Sequence, residues 1–142
     1  MKGNRIKHIE SKKGQSLVEF ALSLFFILLL ITGIVDLGRA FFTYMDLREA
    51  AQEGAAYGSI YPNYNSLITE RVKESSNSLE NSSINVFIDY TDFPCAGNDI
   101  KVTAQMLDFP ITMPFIGAVI GAQSITLAAS ATDRILTPLV CP

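Results

Sequence analysis

LVEFALSLFFILLLITGIV, residues 17–35, holds a single charge, Glu19, and its reading decides the fold. A helix of this length covers roughly 28 Å, against a hydrocarbon core of about 30 Å, so the segment is read as a membrane-spanning helix. A cleaved secretory signal has a shorter apolar region that ends in small residues. This run instead ends in Asp36, Gly38 and Arg39 with no Ala-x-Ala pattern. Ahead of it, residues 1–14 carry Lys2, Arg5, Lys7, Lys12 and Lys13 against Glu10, leaving six basic and thirteen acidic residues downstream. Basic flanks stay on the cytoplasmic side, which orients the amino terminus inward and the acidic remainder outward.

Glu19 is an anomaly in so apolar a helix, because a carboxylate at a helix centre costs about 3 kcal/mol on insertion scales and less near the interface. A tolerated interfacial acid is one reading. The other supplies a cation: a cut between Gly14 and Gln15 would create an α-amino group that pairs with Glu19 of the same or a neighbouring subunit.

The junction Lys12-Lys13-Gly14-Gln15-Ser16-Leu17-Val18-Glu19-Phe20 resembles the class III, type IV pilin-like leader, in which a prepilin peptidase cuts after Gly and Glu stands fifth in the mature chain. The run Gly33-Ile34-Val35-Asp36-Leu37-Gly38-Arg39-Ala40-Phe41-Phe42, followed by residues 50–57, is similar to TadE-like proteins of the tight-adherence (Flp) pilus system. A looser similarity extends over residues 84–135. The resemblance implies a structural component of that pilus, a minor pilin or pseudopilin, or of a related secretion machine. Its expected partners are the membrane, a prepilin peptidase, other pilin subunits and the assembly platform. The competing reading is an uncleaved, single-pass extracytoplasmic binding module.

Beyond Val35 the pattern becomes amphipathic without a proline before Pro62, so the helix is expected to run over 15–61. Tyr44, Leu47, Ala51, Gly54 or Ala55, and Gly58 define one apolar stripe; the small residues Ala51, Gly54, Ala55 and Gly58 permit close packing of the chain's own sheet or of another subunit. Asp36 and Arg39 lie three apart and are read as a helix-face pair or as the mark of the membrane edge. Pro62 and its Asn neighbours break the helix. A second helix fits 66–79, with Ile68, Val72, Ser75 and Leu79 on one side, and residues 77–83 form a polar loop.

Three strands follow with a period of two. Ile84, Val86, Ile88 and Tyr90 share one face; so do Ile100, Val102, Ala104 and Met106, and then Ile125, Leu127, Ala129 and Ala131. The expected fold is α+β: a long N-terminal transmembrane and amphipathic helix packed on a small antiparallel sheet, with a second short helix. The expected division is a basic leader 1–14, a long helix 15–61 and an extracytoplasmic head 62–142. Residues 108–122, with two prolines and two glycines among apolar side chains, are expected to pack on the head, or else to meet a partner or the membrane.

Cys95 and Cys141 are the only cysteines. An even count in an exported segment suggests a disulfide, closing about 45 residues and contributing roughly 4 kcal/mol on the chain-entropy model; free buried thiols are the alternative. No metal, cofactor or small-molecule substrate is expected, because the lone histidine, His8, lies in the leader and no catalytic or nucleotide-binding motif is present. Carboxylates such as Asp89 and Asp92 are ordinary on an acidic surface, which also repels nucleic acid.

Overall fold

The computed structural model describes residues 12–76, 84–114 and 116–137. Helix α1 spans Lys12–Ile60, 49 residues or roughly 74 Å of axis, uninterrupted because neither proline nor a turn cluster falls within it. It stops where Pro62 bars helical geometry at Tyr61; the Tyr61 amide still donates to the Tyr57 carbonyl at 3.0 Å. A tight turn follows, and helix α2, Asn65–Ser75, runs back along the end of α1. Tyr90 fixes this turn, its hydroxyl meeting the Pro62 carbonyl and lying 2.6 Å from Asn65 Oδ1.

Strands β1 (Ile84–Tyr90), β2 (Asp99–Pro110) and β3 (Ser124–Arg134) form an antiparallel meander with β2 in the centre. Tyr90 pairs with Ile100, Ile84 with Met106, Val102 with Ala131 and Ala104 with Ala129. One face of the sheet closes on the second half of α1 and on α2. The core is Leu47, Ala50, Ala51 and Ala55 from α1, Ile68 and Val72 from α2, and Ile84, Ile100, Val102, Ala104 and Ala129 from the sheet, with Ile135 beyond it. Alanines dominate where helix and sheet meet, since only small side chains let the two backbones approach.

Strand β2 runs down α1 in the opposite direction. A Cβ built on Gly58 would overlap Ile100, one on Gly54 would sit 3.2 Å from Val102, and one on Gly33 would sit 3.6 Å from the Met113 sulfur. The sheet and the connection that follows β2 are thus clamped to the helix from Gly58 down to Gly33, roughly 38 Å of axis. At the upper end the Leu136 amide donates to the Ser59 carbonyl at 2.9 Å and Thr137 Oγ1 to the Ile60 carbonyl at 2.6 Å.

The α+β architecture is as the sequence implies, and four details differ. Thr43, not Tyr44, is the buried residue of this turn: Tyr44 lies one helical step further round and is exposed. Helix α2 ends at Ser75 rather than 79, and Ser76, its hydroxyl bonded to the Lys73 carbonyl at 3.0 Å, takes the buried place assigned to Ser75. Leu79 and the loop 77–83 lie outside the described residues. Strand β2 continues past Met106 to Pro110 through a bulge at which Asp108 has φ 58; the extra residue returns Phe109 to the buried face. Ile125, opposite Phe109 at the start of β3, remains exposed, and a short helix α3, Ile116–Ile120, fills part of the interval read as loop.

Candidate assembly site on the N-terminal helix

The residues singled out in the sequence fall into two groups far apart on α1. Gly14, Gln15 and Glu19 lie on its exposed first turns, sharing a surface with Val18, Leu22, Ser23 and Phe26. The spacings of three, four, seven and eleven residues from Gln15 place these side chains on one helix face. Gln15 and Glu19, four apart, stand one above the other. A Cβ on Gly14 meets nothing within 4 Å, so packing does not account for glycine there.

Ala51, Gly54, Ala55 and Gly58 instead sit against α2 and the sheet, about 50 Å further along the axis. They belong to the interior of this chain. Cys95 is half-buried in the β1–β2 loop, its carbonyl accepting the Asn98 amide at 3.1 Å. Cys141 lies outside the described residues, and the pairing of the two stays a proposal.

Between these groups lies a cluster of which the sequence suggests only a helix-face pair or the mark of the membrane edge. Asp36, at the outer edge of the apolar run, is buried and accepts the Thr112 hydroxyl on Oδ1 and the Met113 amide on Oδ2 at 2.6 Å. Arg39 Nη1 stands 3.5 Å from Asp36 Oδ1 and 3.4 Å from Thr112 Oγ1, with its guanidinium 5.4 Å from the centre of the Phe109 ring. One carboxylate therefore ties the β2–β3 connection to the helix. The available signal was a carboxylate at the membrane edge together with a proline-rich apolar stretch lacking charge; what joins them is a contact across 76 positions.

The Thr112 hydroxyl, aided by the Met113 amide and more weakly by Arg39, holds the Asp36 carboxyl below the usual carboxylate range against the opposing effect of desolvation. A depressed folded-state pKa stabilises the latch fully above the unfolded value of about 3.9, and that stabilisation is lost as pH falls through the lower folded value. Asp36→Ala is expected to remove the latch at neutral pH. Amide exchange at Met113 should then accelerate severalfold and lose its dependence on acid, while exchange at Val102 stays slow. Unchanged exchange at Met113 would show that the carboxylate does not hold the loop.

Among the described residues, none in the most apolar window of α1, mean hydropathy 2.5, is buried by the head, which first meets the helix at Gly33. Helix length and composition fit a single-pass membrane anchor. Among the described residues no group of three or more His, Cys, Asp or Glu is placed to hold a metal. No match was found among curated proteins or among solved structures. The model of the TadE-like protein family matches residues 14–56, a stretch containing Gly14, Glu19, the Asp36–Arg39 pair and the small residues through Ala55. Over that stretch, from the exposed first turn of α1 to the helix face that meets the sheet, the chain is similar to TadE-like proteins.

Proposed function

We propose that this chain is a minor pilin or pseudopilin of a tight-adherence (Flp, type IV-like) pilus or a related secretion machine. The observation that carries the reading is a long apolar half-helix left bare by its own head, bearing Glu19 one turn after Gly14 and Gln15 on the exposed face. In this mechanism a prepilin peptidase removes residues 1–14. The amino terminus lies on the cytoplasmic side, the head outside, and the processed helix passes from the inner membrane into an assembly with other pilin subunits.

The physical roles separate cleanly. Lys12 and Lys13 hold the leader on the cytoplasmic side. Glu19, otherwise a costly charge among apolar neighbours, is neutralised by the new α-amino group of Gln15 in its own or an adjacent subunit. The head stays folded throughout, because its core draws on Leu47–Gly58 and not on the bare segment.

Intact mass of protein purified from its native host tests processing: a chain beginning at Gln15 supports the mechanism, and one beginning at Met1 overturns it in favour of an uncleaved anchored module. Glu19→Ala is expected to be cleaved normally but to enter the assembly poorly, measured as its fraction in sheared surface fibres. Wild-type incorporation of that variant would remove the charge-pairing role.

A further inference from the structure

We propose that the β2–β3 connection, with α3 at its tip, is a second membrane contact that seats in the outer leaflet beside α1. This inference rests on the reading that residues 17–35 span a membrane.

Depth is the first argument. Met113 packs against Gly33, two residues inside the span, so the connection beyond β2 reaches down to the level where the helix is already among lipids. The chain has nine further residues to run before the Gln123 carbonyl receives the Ile111 amide at 3.0 Å and the backbone turns up into β3. That excursion lies at the lower end of the head, away from the Ser59 and Ile60 contacts.

Chemistry is the second. From Phe109 to Thr132 the sequence contains no charged residue. Val119 on α3 is 82% exposed, an apolar side chain left largely uncovered by the described residues. The polar groups of the approach are meanwhile satisfied internally: Asp36 takes Thr112 and the Met113 amide, and the Gln123 side chain donates to the Ile111 carbonyl at 2.9 Å. A hydrogen-bonded neck bearing an uncharged apolar tip is what an interfacial environment demands.

The third is continuity with the helix beside it. On α1, above the span, Leu37 and Phe42 are 72% and 71% exposed and Phe41 is also bare. Phe41 stands about 9 Å beyond Val35, within the headgroup layer where aromatic side chains collect. Bare apolar groups on the helix thus continue above the level at which the loop descends, and the Asp36 latch ties the loop to the helix between them.

The chain has no tryptophan, so a single introduced indole reports its own surroundings. Three single-tryptophan variants of the full chain, reconstituted in phosphatidylcholine vesicles, form the test: Val119→Trp at the tip, Phe26→Trp in the span and Leu136→Trp at the far end of the head. All three positions are exposed, and circular dichroism checks that folding is kept. The expected result is blue-shifted Val119→Trp emission that loses most of its intensity to lipid brominated near the headgroup and little to aqueous iodide, with Leu136→Trp showing the reverse. If Phe26→Trp is quenched by deeply brominated lipid while Val119→Trp behaves like Leu136→Trp, the loop does not touch the membrane and the proposal falls. Shielding of Val119→Trp from iodide without quenching by brominated lipid overturns it equally, assigning the tip to a second copy of the chain. If Phe26→Trp itself escapes lipid quenching, the spanning reading fails and the proposal falls with it.

Discussion

Leucine in place of Gly54 is expected to unfold the head while the apolar half of α1 stays helical in detergent. A Cβ at this position already overlaps Val72 Cγ2 and lies 3.2 Å from Val102 Cγ1, atoms belonging to two different elements that are themselves fully buried. Neither can withdraw, because Val72 is held by α2 against Ile68 and Val102 lies on the central strand between β1 and β3. Overpacking a core typically costs 1–3 kcal/mol, and leucine adds four heavy atoms in this wedge, so a loss of about 3 kcal/mol or more is expected. A head of this size has few kilocalories in reserve. Urea unfolding of the full chain, followed by tyrosine near-ultraviolet signal for the head and far-ultraviolet signal for the helix, separates the two parts. Gly38→Ala is the matched comparison: its Cβ meets nothing within 4 Å, and the helix should gain as much as about 1 kcal/mol. A Gly54→Leu variant with wild-type urea midpoint would show that helix, α2 and sheet are not packed as described.

Gly14→Ala has the opposite character, a large functional effect with no structural one. Nothing lies within 4 Å of the added carbon, and alanine favours the helix that already runs through this position. Stability should therefore be unchanged or slightly higher. On the proposed mechanism, maturation is nonetheless lost: the peptidase must draw the junction out of the helix into an extended backbone, which alanine resists more than glycine and which its methyl group crowds. Intact mass should show the chain retained in the membrane with its first fourteen residues, and pilus incorporation should be abolished. Efficient trimming of this variant would show that glycine before the cut is not what the peptidase reads.

These variants probe features that differ in how visible they were in the chain. The bare span, the break at Pro62 and the three alternating strands follow from local periodicity, which depends on each segment's own side chains. The choice between Thr43 and Tyr44 does not, because both fit the helical period within one step. It is decided by how the head packs on α1, which buries the smaller Thr43 and leaves Tyr44 exposed. The bulge at Asp108 was hidden for a similar reason, since alternation up to Met106 gives no sign that an extra residue will restore it at Phe109. The Asp36 latch joins two segments that look unrelated when read in order, an acid ending a membrane helix and an apolar loop far along the chain. Either alone has an ordinary explanation; their meaning arises only once β2 is laid antiparallel along α1.

That antiparallel arrangement bears on load. A subunit held by its helix and pulled by its head feels force along the α1 axis, and β2, continued by the chain to Met113, runs along that same axis from Gly58 to Gly33. The head's contacts with the helix are then strained together in shear, with the Asp36 latch at one end and the Leu136 and Thr137 bonds to the Ser59 and Ile60 carbonyls at the other, instead of parting one by one like a zipper. A sheet set crosswise on the helix would have peeled from one edge. Laid lengthwise, the head is built to stay on its stalk under tension.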